Sequence, residues 1–418
     1  MAPAPFLQLF PRREFDTSAP TESFASEWAN PSNYAFTILL LLGGDVIARA
    51  LAQLAGGPVT PVAFSFGWVS YATTAICSAV GENKLMPGAD CPCEVINGKN
   101  GYVRGNNSFV IGRIVRDYEA WMGSAVHNIT QSLIEARWKF DRELAEKDSA
   151  GSGAEVPRPR QAGLVVSFWE PSQTIEAGKP GHDILHWSGL ITTVAQLGIA
   201  AIPCGMWGDW SVLLITGGAS VLCYAMGSLS QWGVEKWACR RLHKRSKKNF
   251  VLTRGNGAQH AIAIISNGRG LDLEDLATGF DNLDAPSITL FAQLATISLG
   301  LLWVVLLITS SAITDSAWFL IAVGGVGILQ NMFVAGWKRQ PKALGVPIEF
   351  LDVVGDVKVM NTLLAVERKY EKLGQSMIGS FFPGDLRENE KKMWEDVAEE
   401  WAERKRAEGK KKTKISGC

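Results

Sequence analysis

Long apolar stretches, separated by charged segments, dominate the pattern of hydrophobic and polar positions along the chain. Six of them contain about the 20 mostly apolar residues that a membrane-spanning helix needs. Only a few residues separate the two members of each successive pair, so each pair is predicted to form a helical hairpin. The predicted spans are 34–55 with 58–80, 184–203 with 207–229, and 288–309 with 317–334.

The spans divide the 418 residues into seven segments. The predicted fold class is an all-α membrane protein with six transmembrane helices, joined to a small α+β cytoplasmic region made by the long loops and the C-terminal tail. The segments are an N-terminal tail (1–33), hairpin one (34–80), a loop with an amphipathic helix (81–183), hairpin two (184–229), a basic loop with a β-hairpin (230–287), hairpin three (288–334) and a helical tail (335–418).

Shorter patterns in the loops and the tail predict the elements of the α+β region. Helices are predicted where apolar residues recur at helical spacing, and strands where short β-prone runs are bounded by turn residues. Asn256-Gly257 is a strong hairpin turn signal. The predicted helices are 109–144, 359–373 and 385–409, the predicted strands are 163–169 and 347–353, and the predicted β-hairpin is 250–265.

The distribution of charge predicts the side of the membrane on which each segment lies. The 41 Lys and Arg residues balance 41 Asp and Glu residues, so the net charge gives no argument for nucleic-acid binding. Arg49 is the one Lys or Arg residue inside a predicted span. The others lie in the tails and the long loops, and the positive-inside rule places those segments and both termini in the cytoplasm. Two alternatives stay open, namely an even number of spans with a different pairing, and one re-entrant span.

Asp45 and Arg49 are the most informative candidate residues, because both lie inside the first predicted span. Ionisable residues at that depth are costly and usually face the interior of a helix bundle or a water-filled cavity. They are four residues apart with the acid first, which is the favourable order for an ion pair on a helix. The pair therefore indicates either an ion, proton or substrate site, or a self-neutralising pair that orients the helix.

Uncharged polar side chains also occur inside the predicted spans. Ser70, Thr74 and Ser78 recur every four residues and would share one face of a helix. Hydroxyl and amide side chains form hydrogen bonds between membrane helices, so packing explains them, and a polar conduction path is the alternative. The amide side chains in the spans are Gln53, Gln196, Gln293, Gln330 and Asn331.

A basic cluster follows the fourth predicted span. We expect it to contact anionic lipid headgroups, at about 1 kcal/mol for each charge near the surface. The cytoplasmic side of a membrane protein is a sufficient explanation of the same charges. The members are Lys236, Arg240, Arg241, Lys244, Arg245, Lys247 and Lys248.

No motif in the sequence predicts a metal site, a cofactor or a catalytic constellation. Cys91 and Cys93 have no His or second Cys pair near them in the sequence, and the five His residues show no zinc motif. The turns that begin at Arg254 and Gly268 match no phosphate-loop motif, and turn chemistry explains their glycines.

Four segments together resemble a group of multi-pass membrane proteins from filamentous fungi that has no assigned activity. They are GGDV at 43–46, PVAFSFGW at 61–68, GEN at 81–83 and GLDLEDL at 270–276. The resemblance extends over most of the chain. It implies a fungal membrane setting, and it implies no mechanism.

Three functions fit this architecture. The first is a transporter or channel-like protein, or an accessory subunit of one, with Asp45 and Arg49 in or near the path. The second is a membrane-anchored scaffold or regulator whose cytoplasmic region binds a protein partner. The third is a membrane enzyme acting on a lipophilic substrate, which has the least support. Expected partners are the bilayer, its anionic headgroups and a cytoplasmic protein, and not nucleic acid.

Overall fold

The computed structural model describes residues 43–82, 84–148, 156–244, 247–279, 289–313, 316–382 and 384–415. Its helices, numbered along the chain, are α1 (Gly44–Leu54), α2 (Gly67–Cys77), α3 (Phe109–Arg116), α4 (Tyr118–Trp121), α5 (Gly123–Asp148), α6 (Ile184–Trp207), α7 (Ser211–Gly227), α8 (Gln231–Lys236), α9 (Leu273–Thr278), α10 (Leu290–Ser311), α11 (Ala317–Gly336), α12 (Val359–Lys369), α13 (Leu373–Ser376), α14 (Ile378–Phe381) and α15 (Glu388–Ile415). Its strands are β1 (Glu94–Asn97), β2 (Val103–Gly105), β3 (Leu164–Pro171), β4 (Asn249–Thr253), β5 (His260–Ile265) and β6 (Ile348–Asp356).

Six helices form a bundle with its own apolar core. Going around it, α1 packs on α2, α2 on α10, α10 on α7, α7 on α6, α6 on α11, and α11 on α1. Helices α6 and α7 form the predicted second hairpin. The third pair is helical as predicted, but α10 packs mainly on α2 and α7, and α11 on α6 and α1.

The segment between α1 and α2 is a re-entrant chain. Residues 55–66 are not helical, although most of them are buried. Thr60 donates a hydrogen bond of 2.8 Å to the Gly227 carbonyl at the end of α7. Four residues later, the Phe64 carbonyl accepts from Gln196, halfway along α6. The chain therefore enters the bundle from the end next to the sheet, and α2 returns towards that same end.

The prediction of a continuous second span over 58–80 is therefore wrong. Apolar composition is shared by a membrane helix and by a chain buried inside protein, so composition could not separate the two. Pro58 and Pro61 lack the backbone N–H that a helix interior needs. The connection at Gly56 and Gly57 lies against Trp237 and Pro180, at the sheet end of the bundle rather than the opposite end.

Side chains supply the hydrogen bonds that this extended backbone cannot make to itself. The Ala63 carbonyl accepts from the Asn331 amide and from the Trp68 indole, both at 2.9 Å. The Phe64 carbonyl accepts from the Gln196 amide at 2.7 Å. Buried backbone needs such partners, because an unpaired polar group away from water costs free energy.

Three helices are long and apolar enough to cross a membrane, and they are α6, α10 and α11. Helix α7 is a shorter apolar helix of 17 residues. The described residues therefore support three candidate spans and not the six that the sequence predicted. Residues 34–42 of the first predicted span lie outside the described residues.

A six-stranded sheet in the order β2-β1-β4-β5-β3-β6 forms the second part of the molecule. Strands β1, β2 and β3 come from the first long loop, β4 and β5 from the second, and β6 from the tail. The β-hairpin at 250–265 is confirmed by the antiparallel register of β4 and β5. The predicted strands at 163–169 and 347–353 are confirmed as β3 and β6, which pair with each other. Strands β1 and β2 were not predicted.

The predicted amphipathic helix over 109–144 is divided into three helices. Asp117 separates α3 from α4, and Gly123, with a φ of +81°, begins α5. The buried faces of α3 and α4 pack into the apolar core on one side of the sheet. Helix α12 covers the other side of the sheet.

Candidate functional site

A polar groove runs between α1 and α2 and encloses about 620 Å³. We call it the groove. One wall carries Asp45 from α1, and the other carries the hydroxyl stripe that the sequence indicated. The structure thus brings together two candidates that the sequence treated separately. The stripe consists of Ser70, Thr74 and Ser78.

Oxygen atoms are prominent in the lining of the groove. The Thr74 hydroxyl donates its proton to the Ser70 carbonyl at 3.0 Å, so its lone pairs face away from the helix. Tyr71 also lines the groove, and its buried hydroxyl has no hydrogen-bond partner among the described residues. With the exposed Asp45 carboxylate, these atoms favour a cation or a hydrogen-bond donor.

Arg49 is placed differently from Asp45. It lies on the exposed surface of α1 and is not a lining residue of the groove. Among the described residues, no ion pair within 4.0 Å joins Asp45 to Arg49. The predicted pairing on the helix is therefore not formed, and neither residue faces the packed interior of the bundle.

A buried carboxylate, that of Glu235, fixes the backbone at the end of the groove next to the sheet. Lys84, Leu85 and Met86 line this end. Glu235 accepts hydrogen bonds from the backbone N–H groups of Leu85 and Met86, both at 2.7 Å, and from the Gln231 amide. Burial raises the pKa of Glu235. A second cavity of about 300 Å³ lies next to Lys84 and Met86 and is lined in part by Glu235.

Buried cations join the bundle to the sheet region. The Lys236 ammonium donates to the carbonyls of Gln53 and Ala55, at 2.9 and 2.8 Å, where α1 ends. Arg339 also donates to the Gln53 carbonyl and pairs with Asp183. These groups satisfy carbonyls that a helix C-terminus leaves without partners.

Arg113 likewise donates to a carbonyl at the C-terminal end of α11. Its side chain is fully buried and donates to the Ala335 carbonyl at 2.8 Å, while its Nε atom lies 2.8 Å from Asp90. Burial lowers the pKa of Arg113 to about 10. The junction between bundle and sheet is thus a charged, buried interface rather than a flexible tether.

The predicted lipid-contact cluster is only partly at the surface. Lys236 is 1% exposed, so it cannot reach lipid headgroups, and this part of the prediction is wrong. Three members pair with carboxylates of the sheet region, namely Arg240 with Asp275, Arg241 with Glu176, and Lys248 with Asp272. Lys244 and Lys247 are exposed, and Arg245 lies outside the described residues.

Sequence reasoning missed Tyr71, Lys84 and Glu235. Tyr71 and Lys84 gave no signal of their own, because neither belongs to a recognisable motif. Glu235 could have been noticed as the one acid of helix α8, Gln231–Lys236. In the described part of the chain, no group of three His, Cys, Asp or Glu residues could hold a metal ion.

No family model, no curated protein and no solved structure matches the chain. Function is therefore inferred from the geometry of the groove and of the re-entrant segment beside it.

Proposed function

We propose that the protein is a multi-pass membrane protein that carries a small solute, either by itself or as an accessory subunit of a transporter or channel. The observation that supports this proposal is the groove of about 620 Å³, which is lined by the exposed Asp45 and by the hydroxyl stripe of α2. The buried Tyr71 hydroxyl beside it has no hydrogen-bond partner among the described residues. A cavity of that size is typical of small-molecule sites.

Insertion of the bundle into a bilayer is supported by its outer surface. Large apolar side chains on α6, α7, α10 and α11 are more than half exposed, as expected for contact with lipid tails. Exposed Trp187 and Trp207 lie at the two ends of α6, and 20 residues of helix separate them by about 30 Å, which is the thickness of the hydrocarbon core. The exposed apolar residues include Ile191, Val194, Val221, Leu301, Ile308 and Leu329.

The orientation that we propose places the sheet region in the cytoplasm. Apart from the exposed Arg49, the Lys and Arg residues of the described chain lie at the sheet end of the bundle or in the sheet region. The opposite tips, near Asp209 and Ser316, are joined by a hydrogen bond of 2.5 Å and carry no Lys or Arg. This asymmetry follows the positive-inside rule.

The re-entrant segment is the proposed barrier. The buried residues 60–66 lie inside the bundle, where Phe64 stacks on Trp303, and Trp68 stacks on the same ring. A solute in the groove could pass further only if this segment moved. Broken helices and irregular backbone at mid-depth are typical of transporter binding sites, where they allow such movement.

The experiment that tests this proposal is a flux measurement on the full-length protein in proteoliposomes, with protons, Na⁺ and K⁺ as probes. We expect D45N to lower flux at least about tenfold, because the variant loses one charge-assisted contact with the solute. R49Q is the matched control, because Arg49 is an exposed charge on the same helix outside the groove. Wild-type flux no greater than in protein-free liposomes would exclude transport by the protein alone, and equal losses in both variants would contradict a role of Asp45 in the path.

A second candidate, a membrane-anchored scaffold, is favoured by one observation. Strand β6 is an edge of the sheet, and its Phe350 and Leu351 side chains are 41% and 40% exposed. Such an edge can bind an extended peptide by strand addition. Under this alternative, D45N would leave function intact, and F350S would remove binding of the partner.

A further inference from the structure

The sheet region contains a cavity that the groove does not explain. It encloses about 430 Å³ beside the turn between β4 and β5, and α3, α4 and residues 160–161 form its other walls. We call it the arginine cleft. Its polar lining side chains include Arg116, Glu119, Arg160, Arg254 and His260.

Three guanidinium groups and one carboxylate give this cleft a positive charge. Arg160 and Arg254 are exposed, and neither forms an ion pair with any carboxylate in the described part of the chain. Arg116 is held by Asp117 at 2.7 Å and by Asp90 at 3.1 Å. Its Nη2 atom is nevertheless buried without a hydrogen-bond partner among the described residues. The exposed Arg160 and Arg254 thus offer the cleft donors that pair with no carboxylate among the described residues.

The inner wall combines a polar atom with apolar surface. The Nδ1 atom of His260 is buried and has no hydrogen-bond partner among the described residues. The centroid of its ring lies 5.1 Å from the centroid of the Tyr118 ring. The Tyr118 hydroxyl donates a hydrogen bond to the Ser167 hydroxyl. Buried Leu252 and Ile262 complete this wall. A charged rim over an apolar inner wall suits a ligand with an anionic group and a flat, less polar body.

The backbone turn that carries Arg254 has a fixed shape. Gly255 and Gly257 adopt φ angles of +87° and +82°, which favour glycine. The Gly255 N–H donates to the Thr253 hydroxyl, and the Ala258 N–H donates to the Gly255 carbonyl. Arg254 therefore projects from a preorganised turn, which reduces the ordering cost of binding a ligand.

We propose that the arginine cleft binds a phosphorylated small molecule of the nucleotide type. Arg160 and Arg254 would bind the phosphate oxygens, and the aromatic wall at Tyr118 and His260 would contact the base. Guanidinium groups pair with phosphate through parallel, charge-assisted hydrogen bonds, which lysines do not match. The same phosphate chemistry is found in a phosphoinositide headgroup, so the experiment includes both sources.

The test uses the full-length protein purified in detergent, with ATP titrated by calorimetry and phosphoinositide-containing vesicles examined by flotation. The double variant R160Q/R254Q removes both unpaired charges. We expect it to weaken ATP binding at least about tenfold, because each lost hydrogen bond to a charged group costs about that factor. R269Q is the matched control, since Arg269 is an exposed arginine in a glycine-rich turn at the other end of β5.

Each outcome decides between support and rejection. Binding of ATP that R160Q/R254Q weakens and R269Q does not supports the proposal. Vesicle binding with the same variant pattern, without ATP binding, overturns the nucleotide assignment and assigns the phosphate contacts to a lipid headgroup. Binding of neither probe, or equal losses in R269Q, overturns it. Because both arginines are exposed, we expect the variants to keep the wild-type unfolding temperature; if the double variant does not, R160Q and R254Q are measured singly.

Discussion

At the scale of single residues, amide side chains hold the extended segment inside the bundle. Gln196 donates to the Phe64 carbonyl at 2.7 Å and to the Val323 carbonyl at 2.8 Å. Asn331 donates to the Ala63 carbonyl. The sequence predicted that such amides bond neighbouring helices, and it could not predict that their acceptors belong to a non-helical chain.

We therefore predict that Q196L destabilises the protein by about 1–3 kcal/mol, because it leaves the buried Phe64 carbonyl without a donor. Q330L is the control, since Gln330 is half-buried and, among the described residues, donates only to the Ser188 hydroxyl, which keeps its own hydrogen bond to the Leu185 carbonyl. The measurement is the free energy of unfolding in detergent, followed by tryptophan fluorescence. Equal losses in the two variants would show that the amide does not hold the segment.

The candidate site was partly predictable at this scale. An acid inside an apolar stretch identified Asp45, and a four-residue repeat identified Ser70, Thr74 and Ser78. Their shared groove was not predictable, because it exists only where Gly43 meets Gly67 and brings the starts of α1 and α2 together. For Lys236 the sequence predicted contact with lipid headgroups, and the structure shows a different role. A basic residue near a span can donate to helix carbonyls instead, as Lys236 does to the Gln53 carbonyl.

At the scale of elements, two glycines of α11 make room for the re-entrant segment. A Cβ atom at Gly327 would overlap the Phe64 carbonyl oxygen, and one at Gly324 would overlap the Phe66 ring. Gly325, on the same helix, has nothing within 4 Å of its Cβ position. The close partner of these two glycines is therefore a non-helical chain rather than a helix.

We predict that G327A lowers the free energy of unfolding by about 3 kcal/mol or more, because the segment must shift to admit the methyl group. G325A should be neutral or raise it by up to about 1 kcal/mol, since alanine favours the helix. Thermal unfolding of both variants in detergent measures the difference. If the free energy of unfolding of G327A equalled that of G325A, the re-entrant segment would not lie against α11.

Local signals predicted the apolar helices and the β-hairpin well, because a run of about 20 apolar residues indicates a long buried or spanning helix and an Asn-Gly turn between β-prone runs indicates a hairpin. Helices α6, α10 and α11 lie close to their predicted bounds. The errors occur where tertiary contacts decide the structure. Residues 55–66 are as apolar as a span but are extended, and β1 and β2 are strands of only four and three residues.

At the scale of the whole molecule, the re-entrant segment changes the topology. A six-span arrangement of three hairpins would put the connection near residues 56–59 on the same side as the two helix tips. In the structure, Gly56 lies against Trp237 beside the sheet region, while the tips around Asp209 and Ser316 lie at the opposite end. Val59, which follows, is 44% exposed at the sheet end.

Labelling with a membrane-impermeant thiol reagent distinguishes these two topologies. Single cysteines are introduced into a variant whose seven native cysteines are replaced. We expect W210C, at the exposed tip, to react in intact cells. V59C and N256C, at the sheet end and in the exposed β4–β5 turn, should react only after permeabilisation, because both belong to the cytoplasmic side that we propose. If V59C reacted together with W210C in intact cells, the chain from α1 to α2 would cross the membrane as a hairpin, and the re-entrant topology would be wrong.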